Sequence, residues 1–100
     1  MADYKFTRKA VEDMSEIWNY TYYKWSENQA DTYYRMIIEN CKEIAGNPEL
    51  GKNYNIIAES LFGFKAGRHI IFYRILENED VEITRILHEQ MDLKNRFIEE

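Results

Sequence analysis

The chain predicts an α+β domain: a strand, a helical hairpin, then a three-stranded antiparallel sheet, and a short C-terminal helix or tail. Three observations predict it. Residues 7–45 place apolar side chains at helical spacing, with one capping signal near the middle. Residues 61–88 hold three short runs of β-branched and aromatic residues, parted by turn residues. Segregation of helices from strands along a chain leads to helices on one face of a largely antiparallel sheet.

Each element has a local reason. Tyr4-Lys5-Phe6-Thr7 alternates as a half-buried strand does, and Thr7 is a good N-cap for a helix running to about Trp25. Ala10, Met14, Ile17, Trp18, Thr21 and Trp25 fall on one side of that helix, with Val11 and Tyr22 at the margin. Ser26 with Gln29 three residues on forms a capping box and restarts the helical pattern. Ala30, Tyr33, Tyr34, Ile37, Ile38, Cys41, Ile44 and Ala45 then keep i, i+3, i+4 spacing. Gly46 suits the C′ position and Pro48 stops continuation. So tight a join predicts an antiparallel hairpin. Residues 46–60 read as a loop. Leu61–Ala66, Arg68–Leu76 and Val81–His88 read as strands, with Gly67 supplying positive φ in one turn and Glu77–Asp80 forming the other. Met91, Phe97 and Ile98 are available to dock a C-terminal helix.

One hundred residues make a single domain, 1–100, and 45% hydrophobic residues suffice for a core. One cysteine excludes an internal disulfide and fits a cytoplasmic protein. No segment approaches the ~18 apolar residues of a membrane span, and residues 1–13 contain no signal-peptide core. The net charge of −5 argues against a chain that grips nucleic acid through phosphates, so no direct DNA binding is expected of it alone. Residues 1–60 carry ten acids and seven bases, residues 77–100 eight acids and three bases. Residues 61–76 carry three bases (Lys65, Arg68, Arg74) and no acid. A local anion contact is therefore compatible with weak long-range steering.

A turn that sets Leu76 opposite Val81 pairs Arg74 with Ile83, Phe72 with Arg85 and Ile70 with Leu87. The other face then pairs Tyr73 with Thr84, Ile71 with Ile86 and His69 with His88, at ~4.5–5.5 Å between Cβ atoms. His69 and His88 in this register read either as general acid and base for RNA cleavage, with Arg68 or Arg85 steadying a phosphate, or as a polar pair on a sheet. Composition favours the polar pair. Two histidines without Cys or carboxylates at ligand spacing make a poor metal site; no metal or cofactor is predicted. Cys41 lies on an apolar stripe and reads as buried. Tyr23 and Met36 fall on outer helix faces, as interface residues do. Arg74 and Arg85 either meet acceptors inside the fold or emerge at the sheet rim.

Trp25 with Gln29-Ala30 and Tyr33, Pro48 with Gly51, Gly67 with His69, Phe72-Tyr73-Arg74, and Arg85-Ile86-Leu87-His88 with Met91-Asp92 together resemble the ParE branch of the RelE/ParE toxin superfamily. The resemblance runs from about Tyr4 to Asp92. It implies a type II toxin with a role in plasmid stabilisation, a poison of DNA gyrase and not a nuclease. It also implies a ParD-like ribbon-helix-helix antitoxin whose C-terminal segment wraps the toxin. Arg74, Arg85, His88, Met91 and Asp92 are the expected target-binding or structural residues. Tyr23 and Met36 are expected to rim an antitoxin groove between the hairpin and the sheet edge. RelE-like mRNA interferases, the alternative, are strongly basic and carry a catalytic Tyr or His near the C-terminus. This chain is acidic and has no Tyr after Tyr73, whereas His88 fits both branches.

Overall fold

The computed structural model describes residues 3–90. Strand β1 (Tyr4–Phe6) leads directly into helix α1 (Arg8–Lys24). Thr7 Oγ1 accepts the Ala10 N–H at 3.1 Å, which caps α1, and donates to the Thr84 carbonyl at 2.8 Å. One side chain thus starts the helix and fastens it to the last strand. Helix α2 (Glu27–Gly46) follows after two residues, with Ser26 Oγ accepting the Gln29 N–H at 3.1 Å. Gly46 is the last helical residue and Asn47 the cap, with φ −152°. The left-handed C′ residue expected at Gly46 is therefore not used; Asn47 N–H closes the end on Glu43 and Ile44 carbonyls. Pro48–Leu50 forms a 3-10 turn.

Four further strands follow: β2 (Lys52–Asn53), β3 (Phe62–Ala66), β4 (His69–Ile75) and β5 (Val81–His88). They join β1 in one five-stranded mixed sheet of order β1-β5-β4-β3-β2. The expected three-stranded antiparallel sheet is thus extended on both sides. β1 adds parallel to β5, and the two-residue β2, too short to show any periodicity, adds antiparallel to β3. The expected C-terminal helix, with Met91, Asp92, Phe97 and Ile98, lies outside the described residues.

Three described positions have left-handed backbone: Ser60 (φ 58°) in the long loop, and one in each of the β3–β4 and β4–β5 turns. β3 and β4 join through Gly67-Arg68, and Gly67 has φ +62°, as a two-residue hairpin turn requires. In the β4–β5 turn Leu76 N–H reaches the Asp80 carbonyl and Glu79 N–H the Leu76 carbonyl. This three-residue turn puts Glu79 at φ 71° and sets Ile75, not Leu76, opposite Val81.

Pairing of His69 with His88, Ile70 with Leu87, Ile71 with Ile86 and Phe72 with Arg85 is as expected. Past Phe72 the register shifts, so that Tyr73 meets Ile83 and Arg74 meets Glu82. Thr84 is the extra residue, and its hydroxyl donates to the Phe72 carbonyl at 3.1 Å. A regular strand sends residues three apart to opposite faces. The bulge lets Val81, Ile83 and Ile86 share the helix-facing core with Ile71 and Tyr73. Met14, Ile17, Ile37, Cys41 and Ile44 meet them from the hairpin. Ile70, Phe72 and Leu87 face the other way, under Leu61, Tyr54 and Ile57 of the long loop. Coverage on both faces explains the near-continuous apolar runs of β4 and β5. Cys41 is fully buried, and burial pushes its thiol up to about 12.

Tyr73 ties the loop to this core. Its buried hydroxyl donates to the Pro48 carbonyl at 2.7 Å and accepts the Gly51 N–H at 2.8 Å. A Cβ on Gly51 would collide with the same ring, 2.8 Å from its Cε1.

Candidate functional site

The end of the sheet carrying the β3–β4 turn meets the helical hairpin, and the histidines lie there. His69 opens β4, His88 closes β5, and their rings stand 5.3 Å apart in edge-to-face geometry. Tyr33 of α2 organises the corner. Its hydroxyl accepts the Arg68 N–H at 3.0 Å and sits 2.7 Å from His69 Nδ1, with the Ala66 carbonyl farther away at 3.4 Å. The phenol and Nδ1 share one hydrogen bond, whose direction follows the tautomer of His69. His88 Nδ1 accepts the Gln90 N–H at 3.1 Å. Burial, aided by the neighbouring His88, lowers His69 to about 4. Burial also raises Tyr33, which stays a phenol. Gly67 passes beneath this phenol: a Cβ there would lie 2.8 Å from the Tyr33 hydroxyl.

Two cavities flank the histidines and share Tyr20, His69 and His88. One, of 730 Å³, lies between the hairpin and the β3–β4 turn and takes in Lys24, Trp25, Tyr33, Met36 and Arg68. The other, of 590 Å³, lies between α1 and β5 and takes in Asp13, Glu16, Ile17 and Arg85. Together they form a groove along the hairpin side of the sheet end. Tyr20 (64% exposed) and Trp25 (66% exposed) give it an apolar wall open to solvent.

Arg85 is buried and paired with Asp13 of α1, resolving the two alternatives for this residue in favour of an acceptor inside the fold. Arg85 Nε reaches Asp13 Oδ2 at 2.8 Å and Nη2 reaches Oδ1 at 3.0 Å. Asp13 Oδ2 also accepts the Ile86 N–H at 3.0 Å. β1 pairs with β5 only along Val81–Ile83, so the outer edge of β5 beyond that point has no strand neighbour among the described residues. Open edges recruit other strands; here Thr7 and Asp13 take up the Thr84 carbonyl and the Ile86 N–H.

The remaining candidates are spread out. Arg74 sits six residues into β4, roughly 16 Å along the strand from His69, with Nε toward the Glu59 carbonyl at 3.4 Å. It emerges at the sheet rim. His88 and Arg68 line the groove. Met91 and Asp92 are outside the described residues. Met36 lines the groove and packs partly on the core, so it is less outward than its spacing predicts. Tyr23 is 83% exposed on the far side of α1, edge-on to Tyr22 at 5.0 Å, which stacks on Trp18 at 5.2 Å. Tyr23 lines neither cavity. Among the described residues, no cluster of three or more His, Cys, Asp or Glu is arranged to hold a metal ion. No described helix is long and apolar enough to cross a membrane.

Sequence reasoning passed over Asp13, Tyr20 and Lys24. Asp13 left a signal: with Ala10, Met14 and Ile17 it completes the i, i+3, i+4, i+7 row of α1, and all four are buried. A carboxylate in an apolar row needs a buried donor. Tyr20 and Lys24 line the groove through the packing of α1 beside the β3–β4 turn, which no spacing in α1 reveals.

Known proteins resemble this chain in sequence and in fold. The model of the ParE toxin of type II toxin–antitoxin systems matches residues 4–93. Toxin ParE1 of Mycobacterium tuberculosis is 31% identical over 90 residues, 90% of this chain and 92% of that protein. Toxin ParE1 of Caulobacter vibrioides is 31% identical over 94 residues, 94% of this chain and 96% of its own length. A chain of the chromosomal ParDE system from P. aeruginosa superposes with a TM-score of 0.75 at 19% identity, covering 88% of this chain and 96% of that one. A chain of the RelBE2 toxin–antitoxin complex from Mycobacterium tuberculosis superposes with a TM-score of 0.61 at 20% identity, covering 88% and 98%. The α+β fold is therefore that of ParDE and RelBE chains, and the sequence match across nearly the whole length decides between the branches: this chain belongs to the ParE toxin family of type II toxin–antitoxin systems.

Proposed function

We propose that this toxin inhibits DNA gyrase in the cytoplasm by binding it as a protein, and that a ParD-like antitoxin neutralises it by filling the groove beside the hairpin. The observation that carries this reading is the groove itself. Exposed Tyr20 and Trp25 with Met36 and Arg68 give it the composition of a protein interface. A purified-toxin assay with gyrase and plasmid DNA tests the target. Toxin should block supercoiling or accumulate cleaved DNA; neither effect at saturation would remove gyrase as the target. For the antitoxin, Met36→Ala should weaken binding. Tyr23→Ala should do so only if the antitoxin also crosses the outer face of α1; unchanged affinity for both would move the interface elsewhere.

A second reading rests on the His69–His88 pair, 5.3 Å apart at the groove. It makes the chain an mRNA interferase with Arg68 steadying the phosphate. General acid–base cleavage needs one group protonated and one not. His69, lowered to about 4, is neutral near pH 7, and its Nδ1 is engaged with the Tyr33 hydroxyl, so service as the base through that nitrogen requires the contact to open. This reading predicts mRNA cleavage in a translating extract that His88→Ala abolishes. An uncut message with the native toxin would eliminate it.

A further inference from the structure

We propose that His69 and His88 form a two-histidine site for a divalent transition metal of the zinc class, with water in the remaining positions, at the corner where the two cavities meet. The two residues share no ligand spacing along the chain. Strand pairing supplies it instead, by setting the first residue of β4 opposite the last of β5. An imidazole nitrogen binds zinc at ~2.1 Å, which places the ion roughly 3.2 Å from the ring centre. Two rings on one tetrahedral ion then have their centres roughly 5.2 Å apart. The observed separation is 5.3 Å, with the ring planes at 80°. The nitrogens are also sorted. Nδ1 of each ring has a protein partner, the Tyr33 hydroxyl for His69 and the Gln90 N–H for His88, so Nε2 is the donor each ring can offer. With metal on Nε2 of His69, Nδ1 carries the proton and needs an acceptor. The Tyr33 hydroxyl can then accept from Nδ1 at 2.7 Å and from the Arg68 N–H at 3.0 Å, and donate to the Ala66 carbonyl at 3.4 Å. This tautomer uses all three contacts of the phenol; the opposite one turns the phenol proton away from Ala66. For His88 the same rule makes Nδ1 a donor, so the metal must break the exposed bond from the Gln90 N–H. Both histidines line both cavities, which gives an ion a path in from water. The chain carries a net charge of −5, and the charges of Asp13 and Glu89 both favour a positive His69 corner. Glu89 is paired with Lys65 at 3.1 Å and acts on His88 and Arg68 as well. Arg68 and Arg85, each lining one of the cavities, oppose the ion. Among the described residues no third His, Cys, Asp or Glu completes the set. The site is therefore weaker than a closed zinc site and keeps open positions. Bound metal ties the start of β4 to the end of β5 and stabilises the fold by mass action.

The test titrates the full chain, without an affinity tag, with zinc chloride near pH 7, using magnesium chloride as the comparison. Binding is read by calorimetry and stability by thermal melting. One zinc per chain should bind, and the melting temperature should rise with zinc concentration. Magnesium should do neither, because it takes oxygen ligands. His69→Gln and His88→Gln should each abolish saturable binding and the thermal shift. Tyr33→Phe, which removes only the acceptor behind His69, should weaken binding by about tenfold. Nitrogen NMR reads the site in the native chain even where a variant misfolds: zinc should move the Nε2 resonances of both rings and the Gln90 amide. No saturable binding, a thermal shift that either histidine variant keeps, an equal response to magnesium, or Nε2 resonances unmoved by zinc would overturn the proposal. Unchanged affinity in a folded Tyr33→Phe chain would overturn the part given to the phenol.

Discussion

Removing the carboxylate of Asp13 should cost this fold a large part of its stability, because that one group satisfies three donors. Asp13 and Arg85 are both buried, and the carboxylate accepts from Arg85 Nε, Arg85 Nη2 and the edge N–H of Ile86. Asp13→Ala leaves a buried guanidinium beside a void and exposes a strand edge. Breaking a buried ion pair from one side costs about 3–5 kcal/mol, against a total of about 5–15 kcal/mol for a domain of this kind. With a urea m-value near ~1.5 kcal/mol/M, the unfolding midpoint should fall by about 2–3 M. Asp13→Asn keeps an acceptor for Ile86 and should fall less. Asp13→Leu with Arg85→Met removes both charges and should recover most of the loss, since apolar replacement of a buried pair is often near neutral. The double-mutant cycle should therefore give a coupling above about 2 kcal/mol. A midpoint shift below about 0.5 M for Asp13→Ala, or additive single effects, would refute the reasoning.

Stability should also depend on His69. Its folded value of about 4 lies below the ordinary 6.5, so the unfolded chain binds the extra proton first. The stabilising effect is complete above pH 6.5 and is lost as pH falls from about 6.5 toward 4. Urea midpoints of the native chain and His69→Gln should converge over that window; a constant gap would contradict it. Tyr73→Phe should cost about 1–3 kcal/mol by leaving the Gly51 N–H and Pro48 carbonyl without their partner, read as a lower melting temperature at unchanged far-UV dichroism. Gly67→Ala should lose about 1–2 kcal/mol through its left-handed backbone alone, with more from the Tyr33 contact. Glu79→Gly, at φ 71°, should cost nothing or raise the melting temperature; a loss comparable to that of Gly67→Ala would show that the Glu79 side chain matters.

The sequence determined what local chemistry can determine. Both helix starts follow from hydroxyls at Thr7 and Ser26, and the two helical cores from 3.6-residue spacing. The β3–β4 turn follows from Gly67, the residue that accepts positive φ without strain. Pairing of His69 with His88 follows from a turn that sets Leu76 opposite Val81, and it holds because the bulge at Thr84 offsets the one-residue difference of the actual turn. The tertiary structure decided the rest, since those outcomes depend on residues far apart in the chain. The Thr84 bulge exists because Val81, Ile83 and Ile86 must all meet the hairpin, a demand set by α1 and α2 and not by β5. Arg85 became a structural residue and not an exposed contact because Asp13, 72 positions away, lies where β1 ends. The groove, and the placing of Lys24 and Arg68 on its two walls, comes from the packing of a helical hairpin against one end of a sheet. That geometry is written in neither element alone.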